Sequence, residues 1–552
     1  MKKHGWLLLI IGVIFGFTLA QTAGKITRKQ VIAAQNLIGI SFDHKAIDTM
    51  LEYLTSNRKG YESMRNHFLD NSVSPALIFD PIPTDYQLTK NEGLNTWKIN
   101  ESATLPLDLD ELAFYPILDL AGLIKTGKIS AEALTRLYLN RIKKYDGKLL
   151  SFVTVTEELA LKQAQKADEE LAKGIYRGPL HGIPYGLKDL AAVPGYPTTW
   201  GAAPYKDQIL DQTATVVRKL EEAGAVLLGK TVSGSLARGG VWFGGKTKNP
   251  WDLEQGATGS SAGSGAATAA GLVAFSIGTE TLGSIVAPST RTGSTGLRPT
   301  YGAVSKHGFM VLSWSMDKVG PICRSAVDCA LVFDFIRGID PLDRSTKEAG
   351  FRPLTDQDPS QMKIAYFKEL FEKDSTSTGQ NNKRTLEEFA QMGIQLIPVT
   401  MPSNFPFEAF DIILRAESGA FFDELLRSGR VDRLEEQHEG SRANSLRQSR
   451  FIPAVEYLQA NRHRSLLIEA FHQLIKEYDL ILSPTYGSNQ LLLTNLTGHP
   501  ALSLPNGFDD KGRPTSVTLV GNYYGEDQLI SLAHAYQKNY RYHGMIPKGL
   551  IE

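Results

Sequence analysis

Apolar residues recur every three or four positions in several stretches of the chain, the spacing of one face of an amphipathic helix. In the first of these stretches the apolar positions are Ile47, Leu51 and Leu54. Two further helices are predicted beyond residue 105, separated by Gly127, from two sets of apolar positions: Ile117, Leu120, Leu123 and Ile124, then Leu134, Leu137 and Leu139.

Short apolar runs alternate with these helical segments. The clearest runs cover residues 225–228, 274–277 and 480–482. Alternation of strands with helices is typical of an α/β protein in which helices cover both faces of a central sheet. The pattern therefore predicts an α/β fold.

The pattern also suggests how the chain is divided. Residues 21–105 are mostly helical in pattern and are interpreted as an N-terminal extension. Strand signals on both sides of residues 345–450 favour one catalytic domain over 106–545, with the charge-rich stretch 345–450 as a helical insertion beside the sheet, where it could cover the active site.

The first twenty residues have the pattern of a secretory signal peptide. Lys2 and Lys3 precede an apolar run from position 6 to Ala20, which is shorter than the roughly 20 residues of a membrane-spanning helix. Cleavage after Ala20 would give a secreted or periplasmic protein without stable membrane insertion. An uncleaved segment that tethers the protein to a membrane is the alternative.

Charge and composition narrow the classes of function. Of the 552 residues 42% are hydrophobic, enough for one large core, and 59 Lys+Arg balance 59 Asp+Glu. Because there is no basic block, nucleic acid is not an expected partner. No HExxH or CxxC motif occurs, so the sequence predicts no metal site.

Only two cysteines are present, Cys323 and Cys329, too few for a disulfide scaffold. On one helix they would be about 9 Å apart along the axis, too far for a bridge. Because Ser325 could begin the helix after Cys323, a disulfide between them stays open.

The most unusual stretch is rich in glycine and serine and covers residues 256–285. Its small residues run directly into an alanine-rich helix and an apolar strand, which argues against a flexible linker. A serine becomes a good nucleophile when a neighbouring base removes its proton, and a buried, neutral lysine can be that base. Lys188 lies in an apolar setting that suits this role; a surface lysine paired with Asp189 is the alternative.

Three motifs together resemble the amidase signature family. They are GIPYGLKD at 182–189, GSSAGS at 259–264 and GTETLGS at 278–284, and the resemblance extends over about 110–545. It implies a single large domain with a central mixed sheet, and an enzyme that hydrolyses a small-molecule amide without a cofactor.

The resemblance also implies roles for individual residues. Ser284 would be the nucleophile, Ser260 the bridging serine and Lys188 the base, and the peptide bond of Ser260 would be cis. The backbone of Thr281, Leu282 and Gly283 would form the oxyanion hole. Relatives often have glycine where Leu282 stands, which puts the size of the substrate in doubt, and many have glycine where Thr258 stands. A neutral base predicts a neutral-to-alkaline pH optimum.

Two other stretches match the consensus patterns of known functional motifs. GAVLLGKT at 224–231 fits a phosphate-binding loop, but its apolar centre is the best strand candidate and cannot also be a loop. GSSAG at 259–263 fits the nucleophile elbow of α/β-hydrolases, which would make Ser261 the nucleophile and would require a histidine such as His499 or His534.

A further alternative shares the same signature. It is the glutaminase-type component of a Glu-tRNA(Gln)/Asp-tRNA(Asn) amidotransferase, which feeds ammonia to a partner protein. The predicted signal peptide argues against this cytoplasmic role. The identity of the amide and the oligomeric state stay open, a homodimer being one option, and Arg447 and Arg450 are more typical of surface arginines than of a carboxylate site.

Overall fold

The computed structural model describes residues 25–67, 73, 75–90, 93, 95–352 and 358–548. The predicted signal peptide lies outside these residues. The chain divides into two compact units, residues 1–74 and 75–552. Within the described residues, no helix combines the length and apolar character needed to cross a membrane.

Between residues 25 and 67, the described part of the first unit forms the helices Arg28–Leu37 and His44–Arg65. The side chain of Thr27 caps the first and that of Asp43 caps the second, because each accepts a hydrogen bond from a backbone N–H in the first turn. The predicted helical character of the N-terminal region is confirmed.

The predicted boundary at residue 105 differs from the observed division at 74. The described residues of 75–105 belong to the second unit although they form no long helix. The backbone N–H of Asn95 and the indole Nε1 of Trp97 both donate to Asp334 Oδ2, each over 3.0 Å. Contacts more than 200 residues apart in sequence are not visible in local periodicity.

The second unit is built on an eleven-stranded mixed sheet with the order β1-β3-β2-β8-β10-β9-β14-β15-β13-β11-β12. Its strands are β1 (Phe152–Val155), β2 (Pro184–Lys188), β3 (Val226–Thr231), β8 (Phe275–Glu280), β9 (Thr295–Arg298), β10 (Lys318–Cys323), β11 (Ile364–Phe367), β12 (Leu396–Val399), β13 (Leu480–Pro484), β14 (Ala501–Phe508) and β15 (Pro514–Gly521). Two small hairpins join β4 (Val241–Trp242) to β5 (Gly245–Lys246) and β6 (Lys248–Asn249) to β7 (Asp252–Gly256).

Helices flank this sheet. The described α-helices of the second unit are Ile117–Lys125, Ala131–Leu149, Glu157–Ala172, Thr215–Glu222, Ala262–Ala269, Val286–Thr292, Ala326–Ile336, Lys368–Lys373, Ser377–Gln391, Asp411–Phe421, Asp423–Arg427, Arg442–Ser449, Ala454–Ile475, Gln490–Leu496 and Glu526–Asn539. The predicted α/β fold and both helices on either side of Gly127 are confirmed.

The strands that carry the site are buried along their whole length. Every residue of β2, β3, β8 and β10 is buried, as expected for strands covered on both faces. The strands predicted at 225–228, 274–277 and 480–482 are confirmed as parts of β3, β8 and β13. Because β3 spans the centre of GAVLLGKT, this motif is not a phosphate-binding loop.

The stretch 345–450 is not purely helical, which corrects the prediction. It contributes β11 and β12, which pair in parallel at one end of the large sheet, and β11 also pairs with β13. Each has only four residues, and most of β12 is partly exposed. Such short strands with little apolar alternation give almost no period-two signal.

Both cysteines are buried and free. Cys323 ends β10, whereas Cys329 lies inside the helix Ala326–Ile336, which Ser325 caps. The thiol of Cys329 donates to the backbone oxygen of Thr295 over 3.3 Å. The disulfide between Cys323 and Cys329 that the sequence left open is therefore not formed in this structure.

Candidate active site

Three elements bring the predicted site residues to one edge of the sheet. Lys188 is the last residue of β2, and Ser284 follows the end of β8, the parallel neighbour of β2. Ser260 lies in the loop between β7 and the helix Ala262–Ala269. Carboxyl ends of parallel neighbours lie at the same edge, where α/β proteins place their ligands.

The Lys188 amine is fully buried and surrounded by hydroxyl groups. Its Nζ lies 2.8 Å from Ser260 Oγ, 2.9 Å from Ser261 Oγ and 2.9 Å from Thr279 Oγ1. Burial lowers the pKa of Lys188 to about 7, although the charges of nearby carboxylates oppose this shift. Much of the amine is therefore neutral at neutral pH.

Asp189 does not pair with Lys188, so the surface-lysine alternative is wrong. Asp189 Oδ1 lies 2.8 Å from Nζ of Lys230, and both side chains are fully buried. The second carboxylate oxygen accepts a hydrogen bond from the Thr199 N–H over 3.0 Å. Lys230 thus pairs with the carboxylate of Asp189. The Lys188 amine forms no ion pair with Asp189 and instead contacts the surrounding hydroxyl groups.

The glycines of the loop allow close backbone contact around Ser260. A Cβ on Gly259 would lie 1.8 Å from the backbone oxygen of Gly239, and one on Gly263 would lie 2.2 Å from that of Ser151. The Gly259–Ser260 peptide bond is cis, as the resemblance implies. The need for close approach explains why this stretch is rich in glycine.

Ser284 reaches the surface of a cavity and lies beside the serine loop. The N–H of Ser261 donates to the backbone oxygen of Ser284 over 3.2 Å, and Ser284 keeps 8% of its surface exposed. Among the described residues, the Ser284 hydroxyl has no hydrogen-bond partner. The backbone N–H groups of Leu282, Gly283 and Ser284 also donate to no described group, so they are free to bind a ligand oxygen.

A buried glutamate holds the backbone directly after Ser284. Glu280 Oε2 accepts hydrogen bonds from the N–H groups of Ile285 and Val286 over 2.8 and 2.9 Å, while Oε1 binds Arg298 Nη1 over 2.7 Å. Burial alone would raise the pKa of Glu280, but Arg298 and these hydrogen bonds outweigh it and lower the pKa to about 2. The turn is therefore fixed by an ionised carboxylate.

Sequence reasoning missed Thr279, Glu280 and Asp317 as parts of the site. Thr279 and Glu280 lie inside the GTETLGS motif itself, but roles were assigned only to its last four residues, as oxyanion hole and nucleophile. Asp317 precedes β10, and its Oδ1 accepts a hydrogen bond from Thr281 Oγ1 over 2.5 Å. No pattern in the sequence links Asp317 with Thr281.

Ser284, Thr281 and Leu282 line a cavity of about 360 Å³. Its other wall comes from residues 411–448, and the polar side chains of that wall are Asp411, Arg415, Glu439, Ser441, Arg442, Ser445 and Gln448. The sequence pattern indicated no catalytic cluster in this stretch. The structure places residues 411–448 opposite the Ser284 turn, across this cavity.

Ser261, the nucleophile of the α/β-hydrolase alternative, does not line this cavity. Ser261 is fully buried, and its hydroxyl donates to the backbone oxygen of Thr279 over 3.1 Å. Nδ1 of His499 contacts Thr497 Oγ1 over 2.8 Å, and His534 lies on the helix Glu526–Asn539, so neither is placed to serve Ser261 as a base. The geometry does not support the α/β-hydrolase alternative.

Other candidate ligand groups are engaged elsewhere. Arg447 and Arg450 form ion pairs with Asp432 and Asp423, each over 2.6 Å. Among the residues that the structure describes, no three or more His, Cys, Asp and Glu side chains are grouped to hold a metal ion.

Comparison with known proteins shows the family of the chain. The sequence model of the family described as Amidase matches residues 133–493. The chain is 34% identical over 483 residues to the A component of the Glutamyl-tRNA(Gln) amidotransferase of Thioalkalivibrio sulfidiphilus (strain HL-EbGR7), covering 78% of this chain and 99% of that protein.

Solved structures show the same fold. The native peptide amidase from Stenotrophomonas maltophilia superposes with a TM-score of 0.70 at 28% identity, covering 78% of this chain and 98% of that one. A bacterial aryl acylamidase of the amidase signature family gives a TM-score of 0.70 at 22% identity over 79% of this chain and 99% of that one. With a family match over most of its length, this chain belongs to the amidase signature family and is an amidohydrolase that acts on C–N bonds.

Proposed function

We propose that the protein hydrolyses the amide of a carboxylic acid through an acyl-enzyme on Ser284, with Ser260 and Lys188 as the proton relay. The observation that carries this proposal is the buried Lys188 amine 2.8 Å from Ser260 Oγ, with a pKa of about 7. A neutral amine in this position can accept a proton from a hydroxyl at neutral pH.

In the first half of the reaction, Ser284 Oγ attacks the amide carbon and forms a C–O bond. The Ser284 proton passes to Ser260, whose own proton passes to Lys188. The relay then returns a proton to the leaving nitrogen as the C–N bond breaks. In the described contacts Ser284 and Ser260 are not hydrogen-bonded; catalytic hydrogen bonds often close only when substrate is bound.

Negative charge that develops on the carbonyl oxygen requires donors that are already oriented. We propose that the free N–H groups around Leu282 and Gly283, with that of Thr281, form this oxyanion hole. Thr281 and Leu282 line the same cavity as Ser284, which supports the assignment. Water then attacks the acyl-enzyme by the same relay and releases the acid.

Labelling tests the nucleophile directly. An alkyl fluorophosphonate should modify Ser284 of the purified protein, as identified by peptide mass spectrometry, and Ser284→Ala should lose both labelling and amide hydrolysis. Ser261→Ala is the companion variant, because Ser261 is the nucleophile of the alternative scheme, and it should keep the label on Ser284. Labelling of Ser261 instead, or full activity of Ser284→Ala, would contradict the proposal.

A second candidate function is favoured by the curated relatives. They are the A components of Glutamyl-tRNA(Gln) amidotransferases, and the 34% identity covers 99% of one of them. For this chain we propose, as the alternative, a glutaminase-type role in which ammonia passes to a partner protein. Glutamine hydrolysis, and co-purification of a tRNA-binding partner with the tagged chain, would support it.

Localisation separates the two candidates. We propose that residues 1–20 export the protein to the periplasm or outside the cell, with a membrane tether as the alternative, on the basis of the charged start and the short apolar run. Fractionation followed by N-terminal sequencing tests this. A mature chain that begins at Gln21 outside the cytoplasm would rule out the tRNA-linked role, and a cytoplasmic chain that retains Met1 would rule out export.

A further inference from the structure

Asp317 lies beside the Ser284 turn because of the register of two strands. β10 pairs antiparallel with β8, and the pair at this end of the ladder joins Lys318 to Glu280. The residues directly beyond that pair are Asp317 and Thr281. Thr281 Oγ1 donates to Asp317 Oδ1 over 2.5 Å. The pairing of the two strands therefore directs this carboxylate to the turn.

The other oxygen of Asp317 binds the loop that precedes β10. Oδ2 accepts hydrogen bonds from the backbone N–H groups of Leu312 and Ser313 over 2.7 and 3.1 Å. Because an N–H group can only donate, these contacts favour the ionised carboxylate. Leu312 and Thr281 both line the Ser284 cavity. One carboxylate thus fixes two segments of the cavity wall.

The charge of Asp317 is buried, and no ion pair within the described part of the chain compensates it. Glu280, the other carboxylate near Lys188, is paired with Arg298. Burial lowers the pKa of Lys188, and the charge of Asp317, followed by that of Glu280, opposes this shift. The cationic groups on which the charge of Asp317 acts are Lys188, Lys306, Lys318 and Arg442.

A buried base needs such a charge in order to accept a proton. Burial alone would hold the Lys188 amine neutral so strongly that it would be a weak base, whereas a base is most effective when it titrates near the working pH. Burial sets the direction of the shift, and Asp317 limits its size. It does so from a distance, since the Lys188 amine itself contacts the hydroxyl groups of Ser260, Ser261 and Thr279.

We infer that Asp317 is a positioning residue of the proposed reaction, which holds the Ser284 turn through Thr281 and supplies the negative charge that acts on the Lys188 amine. The inference rests on the proposed function and adds a residue outside its proton relay. Asp317 does not line the cavity, so it acts through Thr281 and Lys188 and does not contact the substrate.

Asp317→Asn tests the charge. The amide oxygen can still accept from the loop N–H groups and the amide nitrogen can donate to Thr281 Oγ1, so the shape is kept. Without the carboxylate, the Lys188 amine should stay neutral at lower pH. In the purified full chain, the midpoint of the rising part of the profile of kcat/KM against pH should move down by about 0.5 pH unit or more. Butanamide and the activated ester p-nitrophenyl butanoate are the two substrates.

Glu417→Gln is the matched control, because Glu417 is a second buried carboxylate that binds the same loop. It accepts hydrogen bonds from Ser313 Oγ over 2.6 Å and from Ser315 Oγ over 2.7 Å. Its charge acts on the buried Arg464 and not on Lys188. Glu417→Gln should therefore keep the wild-type midpoint, even if it destabilises the loop.

Thr281→Val tests the contact with the turn. It removes the hydroxyl but keeps the charge of Asp317 and a side chain of nearly the same shape. We expect kcat to fall about tenfold or more, with KM within about threefold, because the backbone donors of the turn act in the transition state. The midpoint should stay at the wild-type pH. Thr281→Ser restores the hydroxyl and should recover most of the lost kcat.

The outcomes are distinct. A wild-type midpoint in Asp317→Asn, or equal kcat in the two Thr281 variants, would overturn the inference. An equal downward shift in Glu417→Gln would indicate a general disturbance of the loop and would also overturn it. If Asp317→Asn does not fold, the two Thr281 variants decide. If the wild type hydrolysed neither substrate and Ser284 were not labelled, the proposed function itself would fail.

Discussion

Asp189 and Lys230 form an ion pair in which both side chains are fully buried, with 2.8 Å between Oδ1 and Nζ. The carboxylate that follows Lys188 in sequence is therefore neutralised by a different lysine. Among the described residues, no carboxylate lies within ion-pair distance of Lys188. This arrangement lets burial, rather than a counter-charge, set the protonation of the Lys188 amine.

Asp189→Asn should strongly destabilise the fold, because it leaves the Lys230 charge buried without its partner. We expect the free energy of unfolding to fall by about 3–5 kcal/mol, as measured by urea denaturation. The double variant Asp189→Asn with Lys230→Met should recover part of this loss. A single-variant loss below about 1 kcal/mol would contradict the role of the pair.

Lys188→Met should remove the base while keeping a side chain of similar length. We expect kcat to fall by about 10²–10⁴-fold, the usual contribution of general acid–base catalysis, measured at saturating amide. Lys143→Met, an exposed lysine paired with Glu157, is the matched control and should keep wild-type activity. A folded Lys188→Met protein with wild-type kcat would refute the relay.

The pH dependence of kcat/KM should follow the protonation of Lys188. Only the neutral amine is a base, and its pKa is about 7. Activity on butanamide should therefore rise with pH below about 7 and level off above it. The profile should be recorded from about pH 5 to 9 at constant ionic strength. A maximum near pH 5 with loss by about pH 8 would be inconsistent with a lysine base.

Glu280 should make the fold sensitive to acid. Its pKa in the folded protein is about 2, below the ordinary 4.5, so its stabilisation is complete above about pH 4.5 and is lost as the pH falls towards 2. This contribution is about 3 kcal/mol. The free energy of unfolding from about pH 2 to 6 should decline more steeply for the wild type than for Glu280→Gln. Parallel curves would refute this role.

Much of the fold could be predicted from periodicity and from short motifs. The buried strands β3 and β8 overlap the short apolar runs at 225–228 and 274–277, and the apolar positions of the helices on either side of Gly127 repeat every three or four residues. Lys188, Ser260 and Ser284 were predicted through three motifs, and the structure brings their segments together at one edge of the sheet. These features are local, so a sequence displays them directly.

The features that could not be predicted depend on distant contacts. Lys230 is 41 positions from Asp189, and Arg442 is 206 positions from Leu236, whose carbonyl it binds. Neither pairing leaves a period or a motif in the chain. The short strands β11 and β12 belong to the sheet because β13 pairs with β11, and not because their own composition is distinctive.

The two walls of the cavity come from separate parts of the chain. The Ser284 turn forms one wall, and residues 411–448 form much of the other. Bond cleavage and substrate choice can therefore change independently during evolution or engineering. Exchange of the 411–448 segment with that of a relative offers a route to new substrate preferences while the reacting groups stay in place.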